Sequence, residues 1–150
     1  MTDEEISKYR SEVIEETINI EIMMNCVITQ HYFEHMNVHF FQEVLADETF
    51  SFGLRHRILK KIVETFDGKK DQKFHRLNNI RNIFAHSTAI WIEASEFEKG
   101  GREPKALNPR NFDKEIDFTA LYEEFVSIKD ELLEYLHSLY LEKGGTPPIE

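Results

Sequence analysis

The most constraining feature of this 150-residue chain is a long three-four repeat of apolar residues near its C-terminal end. Leu121, Phe125, Ile128, Leu132, Leu136 and Leu139 recur at the spacing that puts side chains on one stripe of an α-helix, and Tyr122, Val126, Leu133 and Tyr140 widen it. Asp117 is placed to cap this helix of about 26 residues, and Gly144-Gly145 to stop it. With helical patterns preceding it along most of the chain, the expectation is an all-α bundle. The N-terminal segment agrees. Thr2 or Asp3 caps a helix opened by acidic residues, and Ile6, Tyr9, Val13, Ile20, Val27 and Phe33 carry it to about His35. From Ile18 to Ile28 it is apolar nearly all round, as in a central core helix or a subunit interface.

Between these two helices the pattern is shorter. Asn37 caps a short helix over 38–46, with Phe40, Phe41, Val44 and Leu45 for burial. A helix over 52–66 buries Leu54, Ile58, Ile62 and Phe66, while Arg55, Arg57, Lys60, Lys61 and Glu64 face out. Asp67-Gly68-Lys69-Lys70 reads as a turn with Gly68 in the left-handed stop. A helix from about Asp71 to His86 then buries Phe74, Leu77, Ile80 and Phe84. Beyond it, strand-suited residues at 88–94, the pair Gly100-Gly101, and Pro104 and Pro109 argue for a small β-hairpin or extended insertion over about 89–112. The expectation is one domain over 1–150, of about five helices with that insertion and a loose tail from 144 to 150.

The bulk numbers narrow the class further. Hydrophobic content of 41% with 12 Phe supports a packed core. No apolar run approaches the length of a membrane span, and no leader pattern opens the chain. A single cysteine, Cys26, permits no internal disulfide, and its apolar neighbours disfavour a nucleophilic thiolate. A cytoplasmic protein with no membrane partner is expected. The net charge of −10 speaks against a nucleic-acid partner, but it is uneven: residues 52–86 hold 9 basic and 3 acidic side chains. That block is read either as a solvated face paired with acidic neighbours or as a local anion site ending at Arg81 and His86.

Arg81, Asn82 and His86 end the motif helix. Asn82 and His86 lie one turn apart, and Arg81 can swing its guanidinium toward them. The string Arg81-Asn82-Ile83-Phe84-Ala85-His86 resembles the signature of the HEPN superfamily, and within it the branch of the mannitol operon repressor relatives. That resemblance implies a HEPN-like helical bundle and a homodimer whose two motifs face each other. It also implies a metal-independent ribonuclease site: His86 as general acid/base, Arg81 as phosphate clamp, Asn82 as orienter. A toxin or antiphage role would follow from it, with RNA and an antitoxin or regulatory protein as partners. The alternative is a non-catalytic regulator or interaction module like those relatives. Arg55, Arg57, Lys73 and Arg76 are the accompanying substrate-binding candidates.

No cofactor and no metal are expected. His31, His35 and His39 would share a face on an unbroken helix, but Asn37 is expected to break it before His39. His56 and His75, each beside arginine, extend the cationic surface or are solvated.

Overall fold

Helix α1, Asp3–Phe33, is the axis of the molecule. Thr2 starts it: its Oγ1 accepts from the Glu5 N–H while the Glu5 carboxylate accepts from the Thr2 N–H, a reciprocal capping box. Glu34 stops it by taking a left-handed backbone at φ 58°. The computed structural model describes residues 2–86, 107–108 and 111–146. A π-helical segment, Phe40–Leu45, follows α1, then α2, Phe52–Ile62, α3, Gly68–His86, and α4, Phe118–Glu142. The all-α bundle is therefore the architecture. α1 packs most extensively on α4 and also on α2 and α3, and α3 packs on α4. No helix among the described residues is long and apolar enough to cross a membrane.

The core comes from stripes the sequence displays. Ile6, Val13, Ile20, Val27, Phe74, Leu77, Ile80, Phe84, Phe125, Leu132 and Leu136 are all buried. α4 begins where expected, with the Asp117 carboxylate accepting from the Ala120 N–H. It ends at Gly144, whose φ of 87° suits a residue without a Cβ.

Four local expectations need correction. α2 ends at Ile62, where Val63 turns extended; its fully buried residues are Phe52, Arg55, His56 and Leu59, while Ile58, Ile62 and Phe66 pack against the core only partly buried. Arg55 does not face out. It is 4% exposed because its guanidinium ties three segments, donating to Asn25 Oδ1 at 2.7 Å and to the carbonyls of Phe50 and Leu45. Gly68 begins α3 instead of ending a turn: Asp67 Oδ1 accepts from the N–H groups of Lys69 and Lys70, capping the helix three residues earlier than expected. In the π-helical segment Asn37 does accept from the Phe40 N–H, but only Leu45 is buried and Val44 is exposed, since the wider turn rotates the apolar set off a single face.

Greasiness all round α1 resolves into two faces. Val27 and Ile28 enter the core, whereas Ile18 is 50% exposed and Ile22 44%. The expected insertion over 89–112 falls almost wholly outside the described residues. At its far edge the backbone of Leu107–Asn108 pairs antiparallel with Asn111–Glu115, with an irregular register.

Candidate functional site

The C-terminal turn of α3 carries the motif. Phe84, fully buried, and Ile80 pin the helix to the core. That leaves Arg81 and Asn82 half-buried and His86 exposed. Arg81 Nη1 donates to Asn82 Oδ1 at 3.0 Å, so the amide oxygen orients the guanidinium. Glu21 on α1 faces this end of the bundle. Burial pushes its carboxyl above the usual range, while the charges of Arg55 and Arg81 pull it down.

Arg10, with no motif around it in the sequence, reaches the same helix end. Arg10 Nε on α1 donates to the Phe84 carbonyl at 2.7 Å, satisfying one of the last four acceptors of α3 and placing a cation at the negative end of its dipole. The contact spans 74 positions, and no local pattern in the sequence announces it.

The cationic block is largely engaged within the fold. Arg76 makes a two-pronged pair with Glu124 on α4, at 2.7 and 2.8 Å. Lys70 and Lys73 both reach Glu131, Lys60 reaches Asp71 at 3.3 Å, and Arg55 lies 3.5 Å from Glu21. Among the described residues Arg57, Lys61, Lys69 and Arg81 make no ion pair. Of the four substrate-binding candidates, Arg55 is sealed in the core, Lys73 and Arg76 hold α3 to α4, and Arg57 is exposed on α2. None is brought beside His86 by a described contact.

The histidines sort differently from their sequence neighbours. α1 ends before His35 and His39, so His31, His35 and His39 share no helix face. His56 is not part of a solvated surface. It is 3% exposed, stacked on Phe74 with ring centroids 5.0 Å apart, and its Nε2 lies 2.7 Å from Asp71 Oδ1. His75, one turn after Asp71 on α3, brings its Nε2 to 3.8 Å from the same oxygen. Asp71 and His75 at an i, i+4 spacing are legible in the sequence, but His56 joins them only because α2 folds back on α3. At Cys26, burial pushes the thiol up, away from the reactive thiolate.

Scanned against family models, curated proteins and solved structures, the chain matches none.

Proposed function

We propose that the C-terminal turn of α3 is an RNA-directed site of the HEPN kind, acting as a metal-independent endoribonuclease. One observation carries this reading: an exposed imidazole, His86, stands within a turn and a half of a guanidinium, Arg81, that is already oriented by Asn82. Cleavage of RNA through its own 2′-hydroxyl needs a base to take that proton, an acid to protonate the departing 5′-oxygen, and a cation facing the anionic oxygens of the pentavalent phosphorane. Imidazole does the proton work near neutral pH, and guanidinium matches the phosphate oxygens in forked geometry. Asn82 serves as the orienter of Arg81 rather than of the imidazole. A second imidazole and guanidinium come from a partner copy, with Ile18 and Ile22 as the apolar contact on α1.

A non-catalytic interaction module like the mannitol operon repressor relatives is the second reading. The engagement of Arg55, Lys60, Lys70, Lys73 and Arg76 in internal pairs favours it, because little basic surface is left for a polyanion.

The two separate in one assay, RNA degradation by the purified protein in EDTA. The first reading expects cleavage that His86→Ala abolishes, with the far-UV circular dichroism unchanged. Unaltered cleavage in that variant removes the assignment to His86, and no cleavage by the parent protein leaves the interaction module.

A further inference from the structure

We propose that His56, Asp71 and His75 form a binding site for a single divalent transition ion of the Zn2+ class, with an open coordination position toward the cavity between α2 and α3. The proposal is independent of the ribonuclease reading. Asp71 and the motif arginine are ten residues apart on α3, or about 15 Å along a helix axis.

The geometry is that of three ligands around a common point. Asp71 and His75 share one face of α3, and His56 closes the third side from α2. One ligand atom from each residue lies within 4.8 Å of the others. Two donors at ordinary zinc bond lengths and a tetrahedral angle are about 3.3 Å apart. The separations here, 2.7 Å for His56–Asp71 and 3.8 Å for His75–Asp71, bracket that value, so small side-chain rotations seat an ion.

A simple histidine–carboxylate pair does not account for the contact. His56 Nε2 and Asp71 Oδ1 are both cut off from water, and although 2.7 Å apart they make no hydrogen bond of acceptable angle. A buried polar atom without a partner is costly, and an ion beside both would satisfy the two at once.

The surroundings suit a borderline metal. Two imidazoles and one carboxylate favour Zn2+ and its neighbours over Mg2+ or Ca2+, which prefer oxygen. Metal ligation needs neutral imidazole and ionised carboxylate. Phe66 and Phe74 flank the His56 ring and form the apolar shell that keeps a site dry. The remaining side opens on a cavity of about 400 Å3 edged by Ser51, Arg57 and Lys60, with room for water or a small ligand in the fourth position. Lys60 opposes a cation. It holds Asp71 Oδ2 and leaves Oδ1 to the ion, and with its side chain 47% exposed it can withdraw into solvent.

The test is titration of chelator-treated, tag-free protein with Zn2+ by calorimetry, and with Co2+ by its visible ligand-field absorption. One ion per chain and a rise in melting temperature are expected. His75→Ala, at an exposed position that leaves the fold intact, should lower affinity by roughly tenfold or more. Lys60→Ala should raise it, which a purely structural role in the Lys60–Asp71 pair would not do. His35→Ala/His39→Ala should leave it unchanged. Absence of saturable binding overturns the proposal, as do affinity unaltered in His75→Ala and affinity lost in the His35/His39 variant.

Discussion

Replacing Arg55 by leucine should destabilise this protein strongly. The guanidinium donates to Asn25 Oδ1 and to the carbonyls of Phe50 and Leu45, and lies 3.5 Å from Glu21. Leucine fills part of the volume but leaves two buried acceptors, Asn25 Oδ1 and the Leu45 carbonyl, each costing about 1–3 kcal/mol when unpaired. It also strips Glu21 of its partner, while relieving the cost of desolvating the arginine. Breaking one side of a buried charge pair costs about 3–5 kcal/mol in general, and the two estimates agree. For a chain of this length that corresponds to a fall in melting temperature of roughly 6–20 °C. Urea unfolding followed by circular dichroism measures it. Arg57→Leu, two residues on and exposed, is the control and should stay within about 0.5 kcal/mol. Arg55→Lys should recover little, since a single ammonium cannot reach three acceptors in a plane. If Arg55→Leu loses under about 1 kcal/mol, the buried clamp is not what holds the Phe50–Ser51 turn to α1.

Other outcomes follow from the same contacts. Phe84→Ala, inside the motif but fully buried, should destabilise by about 3–5 kcal/mol in chemical denaturation, unlike His86→Ala, which should stay within about 0.5 kcal/mol. Lowering the pH should weaken the α3–α4 contact. The Arg76 guanidinium at Glu124 and the lysines at Glu131 hold these carboxyls below their ordinary value, so their contribution is complete above about pH 5 and disappears as pH falls through the folded-state range. Glu21 has the opposite sign, since burial raises it and protonation relieves a penalty. Urea midpoints from pH 6 down to 3 should therefore fall, and Arg76→Ala should flatten that slope. Gly144→Ala, at φ 87°, should cost about 1 kcal/mol by the same measurement.

The bundle was legible because burial of a helix leaves a period in its own sequence. Phe74, Leu77, Ile80 and Phe84, and the row from Phe125 to Leu139, fall in the core as their spacing requires. The end of α3, with Arg81, Asn82 and His86 within one turn and a half, was legible for the same reason. α2 misled because its buried face includes an arginine and a histidine, residue types that a hydrophobic pattern assigns to solvent. Arg55 is buried for its hydrogen-bond acceptors, which lie on α1, at the end of the π-helical segment and in the turn after it, out of sight of local spacing.

By itself the amino-acid order determined that the chain is helical, where Asp117 and Gly144 begin and end α4, and which residue types gather at the close of α3. Tertiary packing alone decided which charges are neutralised, that Arg10 reaches the Phe84 carbonyl, and that His56 meets Asp71 and His75. Periodicity and capping act within a turn or two of chain. Ion pairs, buried polar contacts and ligand sets form between segments tens of residues apart, and only the folded backbone brings those together.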